Sequence, residues 1–146
     1  MGETVQFSEE ENEAFRKSVP GAMVKTPFLS GLGIEVVKYE HDDISIRLPF
    51  REDLTNDGIF YHGGVIASVI DTAGAAAAWS NHDFNKGMKA STISMTIQYV
   101  GACKKSDLIC NAKALKRGKE LIFTEIEGRD DKGQLVAHAI QTYRIV

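Results

Sequence analysis

One segment constrains this chain more than any other: "NDGIFYHGGVIASVIDTAGAAAAW", Asn56 to Trp79. From Gly63 to Trp79 its only ionisable side chain is Asp71, set among Val, Ile, Ala, Gly and a few hydroxyls. The run reads as a buried helix starting at about Gly63 or Gly64. Val65, Ile66, Val69, Ile70 and Ala73 make one apolar stripe, and the opposite side carries Ala67, Ser68, Asp71, Thr72 and Ala75. A surface helix would place Lys and Glu there. Both sides therefore require covering, and the rest of the chain has to wrap around this helix. A buried carboxylate costs several kcal/mol unless it is paired or neutralised. Asp71 thus has either a structural partner or a chemical task.

The flanking sequence supplies the wrapping. "SEEENEAFRKSV" offers Ser8 as N-cap and Glu11 as the answering residue of a capping box, and predicts a helix ending before Pro20-Gly21. "TPFLSGLG" predicts a short helical turn or a loop over the core. "GIEVVKYE" and "DISIRLPF" read as strands joined by His41-Asp42-Asp43, with Ile44, Ile46 and Leu48 alternating with Ser45 and Arg47. Beyond the helix, "STISMTIQYV" alternates Ile93, Met95, Ile97 and Tyr99 with Thr92, Ser94, Thr96 and Gln98. "DLICNAKAL" and "ELIFTEIEG" flank "KRGK", a hairpin signal, and "LVAHAIQTYRIV" closes the chain. The expected architecture is α+β: an antiparallel sheet of five to six strands curled around one long helix. Residues 1–146 read as one domain, with 1–30 an N-terminal helix and cover segment.

Composition narrows the function. The 146 residues carry a formal net charge of −3 and no basic block, which argues against nucleic-acid binding. The acidic start "MGETVQFSEEENEAF" lacks a signal-peptide pattern, Gln6 breaks the myristoylation pattern begun by Met1-Gly2, and no apolar run spans a bilayer. Cys103 and Cys110 belong to no metal-binding or redox motif. No membrane partner, no metal and a cytoplasmic setting are the expectations.

The helix spacing bears directly on chemistry. A helix N-terminus has unsatisfied N–H groups that stabilise an oxyanion, and glycine lets a carbonyl approach them closely. If the Gly63 N–H is such an electrophile, Asp71 is the natural base. Eight residues separate the two by about 12 Å along the axis, too far for one carbonyl group to touch both. Either they are unrelated, or the helix end of one subunit faces Asp71 of another.

The same residues, together with "STISMTIQYVGACKKSD" and "KALKRGKELIFTEIEGRDDKGQLVAHAIQTYRI", resemble the hotdog-fold acyl-CoA thioesterases, in the branch named for phenylacetic acid degradation. The resemblance runs from about Gly33 to the end of the chain. It implies that the Gly63 N–H, with Gly64 beside it, polarises a thioester carbonyl. It implies that Asp71 of the neighbouring subunit activates water or attacks directly. Asn56 would help place the thioester or the water, His62 would orient Asn56 or the leaving thiol, and Thr92 would hold the attacking water. Arg117, Gly118 and Lys119 match a basic hairpin that meets coenzyme A phosphates, and Phe60 and Tyr61 are candidate acyl-pocket residues. The implied ligand is an acyl-CoA, with coenzyme A part of the substrate and no separate cofactor. The implied assembly is a homodimer, usually paired into a homotetramer.

Each residue also has a plainer reading. Asp71 can be a buried acid bonded to Ser68 or a loop amide, His62 a helix cap, Asn56 a turn former, and Thr92 an ordinary β-branched strand residue. Arg117–Lys119 can be a solvated hairpin tip, and Phe60-Tyr61 a hydrophobic staple. The rival functions are an acyl-binding hotdog protein without turnover, and a protein whose small-residue helix face serves only oligomerisation.

Overall fold

Helix α1, Glu9–Met23, opens the computed structural model, which describes residues 6–146. The first residues of the expected cover segment, Met1 and Gly2 among them, lie outside the described residues. The capping box forms: the Ser8 hydroxyl accepts from the Glu11 N–H at 3.1 Å, and the Glu11 carboxylate accepts from the Ser8 N–H at 3.0 Å. Such a cap stabilises a helix by about 1 kcal/mol. The expected stop before Pro20 does not occur, and α1 runs through it to Met23. An internal proline costs a helix about 3 kcal/mol. Met23 and Val24 pack on the hydrophobic core, which offsets that cost and draws the last turn inward.

Helix α2, Pro27–Leu32, has proline in its first turn and stops at Gly33, whose φ of 74° is left-handed. Strands β1 (Glu35–Glu40) and β2 (Asp43–Leu48) form a hairpin turned at Asp42, φ 61°. The long helix α3 spans Gly63–Ser80. Strands β3 (Ala90–Tyr99), β4 (Leu108–Arg117), β5 (Leu121–Arg129) and β6 (Leu135–Ile145) follow. The Gly118 N–H donates to the Leu121 carbonyl at 2.7 Å to close the β4–β5 hairpin.

All six strands join one antiparallel sheet in the order β1-β2-β4-β5-β6-β3. Helix α3 lies across its concave face, with Ile66, Val69, Ile70 and Ala73 buried against Ile44, Ile46, Leu108 and Ile126. The wheel expected cover on both sides, and Thr72 on the second side is indeed buried. Asp71 and Ala75 on that side stay half-exposed. Fully burying a side chain such as Ile70 is worth about 1.5–3 kcal/mol. The sheet therefore fixes α3 firmly while leaving one stripe of it open.

Strand β3 departs from the expected alternation. Its pairing with β6 slips between Thr92 and Ser94, so Thr92 pairs with Tyr143 while Met95 pairs with Gln141. A bulge of this kind inserts one unpaired residue and resets the phase. Thr92 consequently shares the helix-facing side with Met95, and Ile93 is 53% exposed.

Candidate active site

The loop before α3 is locally braced. The Asp57 carboxylate accepts from the Phe60 and Ile59 N–H groups, each at 2.9 Å, and these donors hold its carboxyl below the usual carboxylate range. The Thr55 hydroxyl accepts from the Gly58 N–H at 2.7 Å, and the Asn56 N–H donates to the Phe60 carbonyl at 2.9 Å. The Asn56 side chain is left exposed on this scaffold, and Phe60 is exposed beside it. Tyr61 turns inward instead: it is 4% exposed, lies against Phe50 with ring centroids 5.7 Å apart and donates its hydroxyl to the Pro49 carbonyl at 3.1 Å.

His62 is the N-cap of α3, its Nδ1 accepting from the Gly64 N–H at 2.8 Å. That bond requires the neutral ring with its proton on Nε2. The two glycines consequently differ. A Cβ on Gly64 would lie 2.9 Å from His62 Nδ1, so the cap itself demands glycine there. A Cβ on Gly63 would meet only Tyr99 Cε1 at 3.7 Å, an ordinary contact. The Gly63 N–H has no acceptor among the described residues, while its carbonyl accepts from the Tyr99 hydroxyl at 3.2 Å.

Two turns further on, Asp71 is held by two donors. The Thr92 hydroxyl donates to Asp71 Oδ1 at 2.6 Å, and Gln141 Nε2 donates to the same oxygen at 2.7 Å and to the Asp71 carbonyl at 3.1 Å. Oδ2 has no hydrogen-bond partner among the described residues. Ser68 is not the partner, because its hydroxyl turns back to the Gly64 carbonyl at 2.8 Å. Gln141 is fully buried, and Thr124 bonds its Oε1 at 3.3 Å. Gly74 makes this approach possible, since a Cβ there would sit 2.2 Å from Gln141 Oε1. Asp71 and Thr92 line an open groove of about 360 Å³ with Phe28, Leu29 and Tyr143. Burial pushes the Tyr143 hydroxyl up from its usual pKa, so it stays neutral there.

The structure thus brings Asp71, Thr92 and Gln141 together, and puts Gly63, His62 and Asn56 at the other end of the same helix stretch. Arg117, Gly118 and Lys119 lie apart from both, near the C-terminal end of α3. Arg117 is engaged within its own chain, donating to Asp42 Oδ1 at 2.9 Å and to the Ala77 carbonyl at 3.0 Å, while Gly118 and Lys119 are exposed. Gln141 is the residue that sequence reasoning missed. Its signal was an amide on the inward phase of β6, otherwise held by Ala137, Ala139 and Tyr143. Among the described residues no three His, Cys, Asp or Glu side chains converge as metal ligands, and no helix is long and apolar enough to cross a membrane.

A helix on a six-stranded antiparallel sheet, with an acid on its open stripe, is the hotdog architecture of thioesterases. The chain belongs to the thioesterase superfamily, whose family model matches residues 60–137. It is 31% identical over 115 residues to the Saccharolobus solfataricus protein named "Putative esterase SSO2140", covering 79% of this chain and 80% of that one. Two solved structures share the fold. The Escherichia coli PaaI protein, from the phenylacetic acid degradation operon, superposes with a TM-score of 0.80 at 20% identity over 92% of this chain and 95% of its own. The smu.793 protein of Streptococcus mutans, bound to acetyl CoA, gives 0.70 at 20% identity over 78% and 89%.

Proposed function

We propose that this protein hydrolyses an acyl-CoA thioester to the free acid and coenzyme A, at a site shared by two copies of the chain. The observation that carries the reading is the Asp71 carboxylate, with Oδ1 fixed by Thr92 and Gln141 and Oδ2 free at an open groove. Acetyl CoA bound to the Streptococcus mutans protein supports a coenzyme A thioester as ligand. The helix motif supports a place beside the phenylacetic acid degradation branch of the superfamily.

Chemically, Asp71 Oδ2 takes a proton from water as the water oxygen attacks the thioester carbonyl carbon. The Thr92 hydroxyl, donating to Oδ1, still has lone pairs that accept the water's other hydrogen. The carbonyl oxygen gains charge in the tetrahedral intermediate, and a Gly63 N–H at a helix start, with no acceptor among the described residues, is suited to stabilise it. As the intermediate collapses, the C–S bond breaks and the proton held by Asp71 passes to the departing coenzyme A sulfur. In one chain the Gly63 N–H is about 12 Å along the axis from Asp71. Strand β3 offers the remedy, because it is an unpaired edge with Thr92 toward one end and Tyr99, bonded to Gly63, at the other. Antiparallel pairing of β3 with its copy about the strand's middle sets the Thr92 end of one against the Tyr99 end of the other. Asp71 then faces Gly63 of the partner subunit. His62 and Asn56 would stand around that donor, and Phe60 beside the acyl group.

Release of free thiol from a panel of acyl-CoA thioesters tests the reading. Wild type is expected to turn over at least one class, and Asp71→Asn to lose about 10²–10⁴-fold in kcat, the usual worth of a general base. Undiminished hydrolysis by the variant would remove Asp71 from the mechanism. Binding of every thioester with no thiol released would leave a carrier instead of an enzyme.

A further inference from the structure

The groove at Asp71 has a neighbour. A second opening, of about 430 Å³, lies between α1 and the C-terminal part of α3, lined by Phe15, Val19, Ala22, Trp79, Phe84 and Met88. Met23 and Thr26 line both openings, so the two adjoin at those side chains, with the carboxylate at one end of the pair and Trp79 at the other. No charged side chain lines the second part. Its hydroxyls are spent locally: Ser18 donates to the Phe15 carbonyl at 2.6 Å and Thr26 to the Met23 carbonyl at 3.0 Å. The Trp79 indole N–H donates to the Tyr143 hydroxyl at 3.3 Å, and the indole stacks on Phe84 with ring centroids 5.5 Å apart. A ligand lying here meets hydrocarbon and aromatic faces and finds no free hydrogen-bonding group.

We propose that the two openings act as one channel that is the acyl subsite, and that the protein prefers unbranched aliphatic acyl thioesters whose chains reach Trp79. The proposal rests on the thioesterase reading and names its substrate class. Continuity selects the occupant, since the channel begins at the acid that serves the thioester carbonyl. Length selects the class. Asp71 and Trp79 are eight residues apart on α3, about 12 Å, which an extended chain of roughly eight to ten carbons spans. An aryl group beside Asp71 would stay within the first opening and leave the Trp79–Phe84 end wet. Each methylene added along the channel is expected to raise kcat/KM about fourfold, levelling off once the chain passes Trp79. Met23, at the junction, has the unbranched adaptable side chain that lets a chain pass.

The test pairs a chain-length series with a bound-state probe. Ala22 and Ser18 are exposed on α1 and line the far part of the channel, so Ala22→Trp and Ser18→Trp each narrow it without entering the core. In both variants the ratio of kcat/KM for decanoyl-CoA to that for butyryl-CoA is expected to fall at least tenfold. Trp79 is the only tryptophan, so its emission reports from the channel alone in the wild type. The non-hydrolysable thioether S-decyl-CoA should shift that emission to the blue, and coenzyme A alone should not. An unchanged decanoyl-to-butyryl ratio in variants with wild-type melting, or a silent Trp79, would overturn the subsite. So would loss of self-association in Ala22→Trp, which would make the channel a seam between copies. If no thioester of any length is cleaved yet S-decyl-CoA still moves Trp79 emission, the hydrolytic reading fails and the subsite stands.

Discussion

The two edges of the sheet are built to opposite purposes. Strand β1 has six residues, three of them charged (Glu35, Lys38 and Glu40), and its pairing slips between Val36 and Lys38. Short length, charge and a bulge are the devices by which proteins keep an edge from pairing with another chain. Strand β3 is ten residues long, with no charged side chain and no proline, and is exposed along most of its length. It keeps a bulge, but that bulge turns Thr92 toward Asp71. The blunted edge lies far from the acid, and the open edge supplies one of the acid's two donors. The contrast teaches that the edge without charge or proline is also the one that holds the acid, which is what the proposed shared site requires.

The contrast can be broken most strongly at the edge itself. Thr96→Lys places a charge near the middle of β3, where self-pairing would set it against its own copy. Self-association is expected to weaken by tenfold or more in sedimentation velocity, with thiol release falling in step as the protein is diluted. Val37→Lys, on exposed β1, should leave both unchanged. Equal effects at the two edges would contradict the distinction.

A smaller effect sharpens the role of the fixed acid. Gln141→Leu removes the buried donor while keeping volume on the helix-facing side of β6, and is expected to lower kcat about tenfold with KM little changed. Association through β3 should persist, because Gln141 acts on Asp71 and leaves the free edge alone. A rise in KM at constant kcat would place Gln141 in substrate binding and remove its positioning role.

The smallest effect lies beyond both edges, at His82. Burial lowers its pKa, and its Nε2–H donates to the Gly87 carbonyl at 2.7 Å in the neutral form. A histidine depressed in the fold binds fewer protons than in the unfolded chain. Its stabilisation is therefore full above the ordinary value of 6.5 and is lost as pH falls below it toward the folded value. Melting followed from pH 7.5 to 5 should show this drop in wild type and a flatter profile in His82→Gln, with the β3-mediated assembly unaffected.

Much of this was legible in the sequence, for reasons that can be named. Alternation in β2, the Ser8–Glu11 box and the apolar run after Gly63 are local signals that packing reinforced, so the start of α1, strand β2 and helix α3 stand where the pattern put them. Pro20 misled because tertiary packing of Met23 and Val24 outweighed a local rule. Thr92 sat out of phase with Ile93 and Met95, and only a bulge, invisible to a period of two, resolves its direction. Gln141 was hidden because its meaning depends on Gly74, 67 positions earlier, leaving room for its amide. Arg117 looked like a free cation at a hairpin tip, and its engagement with Asp42 and Ala77 required the fold to bring them together.

The most direct test of the shared site is complementation between Asp71→Asn and Gly63→Pro chains. Proline at the first helical position keeps the helix but removes the N–H, a loss of about 10²–10³-fold for an oxyanion donor. Each homodimer should be nearly inactive. A purified heterodimer joins the intact Asp71 of one chain to the intact Gly63 N–H of the other at one of its two sites, and should regain about half of wild-type turnover. A folded heterodimer as inactive as its parents would contradict a site divided between two copies.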